Sequence, residues 1–271
     1  MSIQDYEKAR KLGLQVYRHE VNRGHYPYLP ALDYMLSDRD TLKTEDIGVC
    51  EIPIYLICGT LTEGRQKAFA KNYMPLLDED SEFAMKWVNL LAYQEREGIT
   101  DAVKAHEFMG RFYIEEGNKR VSVLKYLGQP DILADVTRIL PPENSNAKES
   151  RIYREFMKFF GCTGIYGIYF SGEGVYAKLA DMCGMTLTEK WSDDAVLALK
   201  SEFFTFSRLY AEHCAGTTAL MYGDAFMIYA EKFTPESLLE DSDDEIRAML
   251  GTIWPGHTSL LERLKKFCGL S

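Results

Sequence analysis

The chain is short of basic residues, of paired cysteines and of long apolar runs. Its 31 Lys and Arg face 41 Asp and Glu, a formal net charge of −10. That balance argues against a general nucleic-acid coat or a membrane-surface protein, because either needs a basic face to attract phosphates. A local basic site is still compatible with it. The six cysteines, Cys50, Cys58, Cys162, Cys183, Cys214 and Cys268, form no C-x-x-C and no ligand spacing with histidine. No metal site is expected from them, and they read as reduced, mostly buried thiols. No uninterrupted apolar run approaches the ~18 residues of a membrane span, and MSIQDYEKARKLG carries no apolar leader core. A cytoplasmic protein without a membrane partner is expected. What is present, 46% hydrophobic and 27% charged residues over 271 positions, suffices for one large domain or two smaller ones.

The most informative stretch runs from Arg111 to Gly128, RFYIEEGNKRVSVLKYLG. Phe112, Tyr113 and Ile114 favour a strand, Glu115-Glu116-Gly117 a turn, and Asn118-Lys119-Arg120 the start of a helix that Gly128 closes. A helix N-terminus offers unpaired amides and partial positive charge, yet Lys119 and Arg120 add two cations there. An anion, such as phosphate, would reconcile them; two cations pointing to solvent would do so equally well.

The rest of the chain punctuates itself. Residues 3–24 predict a short amphipathic helix with Tyr6, Leu12, Leu14 and Val16 as its apolar positions, and Pro27 and Pro30 an extended arm before a helical turn at Leu32–Leu36. IGVCEIPIYLIC (47–58) suits one buried strand kinked at Pro53, feeding a loop that carries Arg65. Asp78 to Ser81 caps a helix with Phe83, Trp87, Leu90 and Leu91 inside. Strands are expected over Ile99–Phe108 and Asp131–Leu140. Beyond PPENSNAKES the pattern turns helical: Arg151–Phe160, a helix after SGEG, a long helix from Ser192, the cap Thr234-Pro235 and the S-x-x-E box Ser242 to Glu245. IYGIYF between the first two is a short strand or extended piece. SGEG is a weak phosphate-loop signal, better explained as a turn. The expected fold class is α+β, in three parts: an N-terminal helix and arm over 1–44, an α/β domain over 45–142 and a mostly helical domain over 143–271.

EIPIYLICGTLTEGR, SEFAMKWVNLLAYQEREGIT and YIEEGNKRVSVLKYLG stand in the order of strand with arginine-bearing loop, glycine-ended helix and G-x-x-R turn. Over about residues 47–140 this resembles the ParB/sulfiredoxin superfamily, which includes ParB proteins, sulfiredoxins and free serine kinases. The resemblance implies a nucleotide (ATP, ADP or CTP), with Mg²⁺ as companion, and Gly117, Asn118, Lys119 and Arg120 at its phosphates with Arg65 as second cation. It implies an NTPase or small-molecule kinase if there is turnover, for which Glu116 is the preferred carboxylate over Glu63 and Glu115. Sulfiredoxins carry a reactive cysteine where Asn118 stands, so sulfinic-acid reduction lacks its thiolate. The ParB E-N-x-x-R motif begins at Glu143-Asn144 but lacks its arginine. YAKLADMCGMTLTEKW has a faint helix-turn-helix flavour, spoiled by Lys190. The alternative to a nucleotide-binding protein is a non-catalytic regulator that binds DNA or a protein partner through residues 143–271.

Overall fold

The computed structural model describes residues 3–36, 41–142, 145–214, 220–233 and 242–254, and leaves the Arg65 side chain aside. Glu143-Asn144, Thr234-Pro235 and Cys268 lie outside the described residues. The fold is α+β: a five-stranded mixed sheet and, among the described residues, nine α-helices. The chain falls into two compact units, Met1–Ser145 and Asn146–Ser271.

The first unit holds the sheet. Its strands are β1 (Thr44–Pro53), β2 (Ile57–Thr60), β3 (Val103–Phe108), β4 (Arg111–Glu116) and β5 (Asp131–Ile139), in the order β1-β5-β3-β4-β2. The expected single strand over 47–58 is therefore two strands at opposite edges. Pro53 ends β1, a 3₁₀ turn at Ile54–Leu56 carries the chain across the sheet end, and β2 pairs parallel with β4. Pro53 lacks the N–H that a continuing ladder needs. As an edge strand β1 is largely exposed, Val49 to 62%, so its apolar run is not that of a buried central strand.

Four helices belong to this unit: α1 (Ile3–Asn22), α2 (Leu32–Met35), α3 (Glu82–Arg96) and α4 (Asn118–Tyr126). Ser81 caps α3 by accepting the Ala84 N–H at 3.2 Å. Trp87 of α3 is fully buried and donates through Nε1 to Ser122 Oγ of α4 at 2.9 Å. Helix α1 packs on α3 through Tyr6, whose ring meets Trp87 edge-on at 5.6 Å. Burial pushes the Tyr6 phenol up to about 12. The inward stripe of α1 is Tyr6, Ala9 and Gly13, while Leu12 is 46% exposed. The expected stripe of larger side chains is corrected by the tightness of the contact: a Cβ on Gly13 would sit 2.6 Å from Pro75 O.

Two ionisable groups are built into this core. Glu107 on β3 and Arg138 on β5 stand opposite each other in the parallel register, and Arg138 Nε donates to the fully buried Glu107 carboxylate at 2.5 Å. The other carboxylate oxygen accepts Gly110 N–H at 2.7 Å, which also pins the β3–β4 hairpin. Near the C-terminus of α4, Lys125 Nζ donates to Ile57 O at 2.8 Å and lies 5.1 Å from the centre of the Tyr73 ring. Burial lowers its pKa to about 8.

The second unit contains α5 (Lys148–Thr163), α6 (Val175–Met182), α7 (Asp193–Cys214), α8 (Tyr222–Lys232) and α9 (Asp243–Ile253). Phe156, Phe159, Tyr176 and Trp191 pack around α5 and α6, and Phe206, Tyr210, Phe226 and Tyr229 pack between α7 and α8. The capping box at Ser242 and Glu245 is present, while IYGIYF forms no strand. Of the described cysteines, Cys162 and Cys214 are buried and Cys50, Cys58 and Cys183 are partly so, all as free thiols.

Two outcomes are expected from the ionisable groups. Glu107→Ala takes from the buried Arg138 its nearer carboxylate and leaves Glu45, at 3.4 Å and half exposed, beside it, and should cost up to about 3–5 kcal/mol in urea unfolding. Lys125 titrates near 8 when folded and near ~10.4 when unfolded. Between those values the unfolded chain holds more protons, so this lysine makes stability rise with pH. Lys125→Met should be more stable than the parent at pH 7, with the advantage shrinking toward pH 10 in matched urea melts.

Candidate functional site

The strand–turn–helix from Arg111 is present as expected, with Gly117 as the N-cap of α4 at φ 106°. That left-handed angle favours glycine, and space requires it too: a Cβ would lie 2.6 Å from Val103 Cγ1. The hydrogen-bond ladder of α4 begins with Val121 N–H donating to Gly117 O at 3.1 Å. The amides of Asn118, Lys119 and Arg120 precede that ladder, as the first amides of any helix do.

The side chains in this turn go three ways. Asn118 turns inward and is 8% exposed; its Nδ2 lies 3.5 Å from Thr60 Oγ1 and its Oδ1 3.4 Å from the Tyr73 hydroxyl. Thr60 Oγ1 in turn donates to Ile114 O at 2.9 Å, and Tyr73 donates to Gly59 O. Asn118 thus joins the helix start to β2 and to Tyr73, and what it presents outward is backbone. Arg120 lies over Gly117 and donates from Nη1 to Asp101 O at 2.7 Å and Ala102 O at 2.9 Å, clamping α4 to the segment that leads into β3. Lys119 alone of the three reaches an open cleft.

That cleft, of about 670 Å³, is lined by Lys119, by Glu63, Gly64, Lys67 and Ala68 of the 3₁₀ helix Glu63–Ala68, by Leu77, and by Glu82, Phe83 and Lys86 of α3. Three lysines from three separate elements line it. Lys119 Nζ sits 5.0 Å from the centre of the Phe83 ring, a cation–π contact that holds it at the rim. Lys86 pairs with Glu82 at 2.5 Å, which together with the nearby Lys119 keeps the Glu82 carboxyl below its ordinary pKa. The neighbouring Glu63 carboxylate pushes the Tyr34 phenol up, and Tyr26 donates to Gln66 Oε1 at 2.7 Å, so the arm meets the 3₁₀ helix that supplies Lys67.

The backbone of Arg65 lies in that same 3₁₀ helix; its side chain is outside the description. Glu116 is exposed on β4 and pairs with Lys104 at 3.7 Å, and Glu115 bonds His106 Nε2 at 3.0 Å. Neither glutamate lines the cleft; Glu63 and Glu82 do. Lys67 and Lys86 were missed in the sequence because the first is one more residue of a polar loop. The second follows Glu82 by four positions and reads as an ordinary surface pair. Only the approach of the 3₁₀ helix to α3 and α4 makes them neighbours of Lys119.

Compared with protein-family models, curated proteins and solved structures, the chain gives no match. Among the described residues, no cluster of three or more His, Cys, Asp or Glu is placed to hold a metal ion, and no helix is long and apolar enough to cross a membrane. The SGEG loop of the second unit is satisfied from within. Gly174 N–H is 2.8 and 3.0 Å from the two Glu155 carboxylate oxygens, Arg151 pairs with Glu173 at 2.7 Å, and Ser171 N–H donates to Asp224. The segment from α6 to α7 spans residues 183–192, well beyond the ~3–4-residue turn of a helix-turn-helix, and α7 opens on Asp193 and Asp194.

The Gly117 turn yields a test of its own. Gly117→Ala meets both the left-handed backbone and the Val103 methyl, and should cost about 1–3 kcal/mol in urea unfolding. In a double-mutant cycle, Val103→Ala should relieve part of that cost.

Proposed function

We propose that the first unit binds the phosphates of a nucleotide in the cleft beside the start of α4. The observation that carries this reading is the convergence of Lys67, Lys86 and Lys119 from three elements on one concave site. Three lysines lining one concave site can each donate charge-assisted hydrogen bonds to a polyanion held there. The leading amides and partial positive charge of α4 act in the same sense. The strand–glycine–helix arrangement at Gly117 is in keeping with the resemblance to ParB/sulfiredoxin domains, and a cleft of about 670 Å³ is within the range of ligand sites.

The cleft is better equipped to hold a phosphate than to move it. Glu82 is tied to Lys86, whose charge lowers its carboxyl pKa and makes it a weaker base, and Arg120 is engaged by two backbone carbonyls. No observation in the second unit favours the DNA-binding alternative.

A thermal-shift panel of ATP, ADP, CTP and GTP, with and without Mg²⁺, tests the reading. A ligand at a hundredfold its Kd should raise the melting temperature by about 5–10 °C, and Lys119→Gln should reduce the shift while the free protein melts within a few degrees of the parent. No shift with any of the four would refute nucleotide binding. Arg120→Ala is the poorer probe, because losing its clamp on Asp101 and Ala102 lowers the basal melting temperature.

A further inference from the structure

The geometry points to a site that reads the phosphate chain and ignores the base: we propose that the Lys67–Lys86–Lys119 cleft takes compounds bearing a di- or triphosphate and grades them by charge. This rests on the phosphate-binding reading above and narrows it.

The first argument is what the cleft lacks for reading a base. Among the described residues its polar lining side chains are all ionised types, three lysines and two glutamates, and no Asn, Gln, Ser or Thr side chain lines it to pair with the edge of a base. The aromatic wall among the described residues is Phe83, which is only 8% exposed and has the Lys119 ammonium over its ring at 5.0 Å. The face on which a base would stack is used to position a cation. Leu77 and Ala68 offer apolar contact that does not distinguish purine from pyrimidine.

The second argument is the resident competition. Among the described side chains the lining carries three positive and two negative groups, and Lys86 is already held by Glu82 at 2.5 Å. An incoming anion competes with the Glu82 carboxylate for the Lys86 ammonium. A monophosphate presents one phosphoryl group, with a charge of about −1.5 to −2, whereas a triphosphate presents three in a row and can engage Lys67, Lys86 and Lys119 together. Because Lys86 and Lys67 are exposed, the attraction is screened by salt.

Isothermal titration in EDTA at low salt, with AMP, ADP, ATP, CTP, GTP, pyrophosphate and tripolyphosphate, tests the proposal. The expected Kd values for ATP, CTP, GTP and tripolyphosphate agree within about threefold, and AMP binds at least about tenfold more weakly. Lys119→Gln and Lys86→Gln, both at the cleft surface, should each weaken tripolyphosphate by about tenfold, while the free proteins stay folded and melt within a few degrees of the parent, the lost contacts to Phe83 and Glu82 being individually weak. Raising the salt to 0.3 M should weaken all the polyphosphates together. Four results overturn the proposal and leave nucleotide binding standing: a base preference above about tenfold; ATP binding without tripolyphosphate binding; nucleotide binding that requires Mg²⁺; or nucleotide binding indifferent to both lysine variants. Failure of every compound, with Mg²⁺ as well as without, overturns both.

Discussion

Gly117 and Val103 approach so closely that no side chain fits between them, and the site side of the first unit is organised by that contact. The left-handed turn at Gly117 ends β4 and starts α4 within one residue. Arg120 closes over the turn onto the carbonyls of Asp101 and Ala102, and Asn118 ties its inner side to Thr60 and Tyr73. With Asn118 directed inward and Arg120 fastened to the backbone, Lys119 is the side chain left at the rim. A different turn geometry would rotate the first residues of α4 and exchange those three directions.

The charged groups of the first unit divide by dielectric. Glu107 and Arg138 are buried and answer each other and the Gly110 amide, an arrangement that fixes the pairing of β3 with β5 and the hairpin to β4. Such a pair is weak evidence for stability but costly to break. Lys67, Lys86 and Lys119 stand where water reaches them, so their charges are solvated as well as countered by Glu82 beside Lys86. Lys125 lies between these extremes, with its ammonium donating to Ile57 O and its pKa lowered by burial.

Much of the fold was legible in the chain. The spacing of Phe83, Trp87 and Leu91, the cap at Ser81, the glycine after Glu116 and the capping box at Ser242 are local signals, and each has its expected form. The misread elements are those that depend on neighbours. The apolar run 47–58 looks like a buried strand, but Pro53 and the following 3₁₀ turn send its two halves to opposite edges of the sheet. The inner stripe of α1 uses Ala9 and Gly13, which no hydrophobicity pattern singles out, because Pro75 O approaches too closely for anything larger.

The sequence by itself determined the α+β class, the strand–turn–helix at Gly117 and the presence of cations at its start, because these follow from side-chain type and spacing within a few residues. Only the tertiary structure decided which cations share a site. Asn118 and Arg120, adjacent to Lys119 in the chain, are drawn to the core and to backbone carbonyls, whereas Lys67 and Lys86, remote in sequence, are brought to it by the packing of the 3₁₀ helix, α3 and α4. The physical reason is that a helix turn sends successive side chains in different directions, so proximity along the chain does not confer a common face.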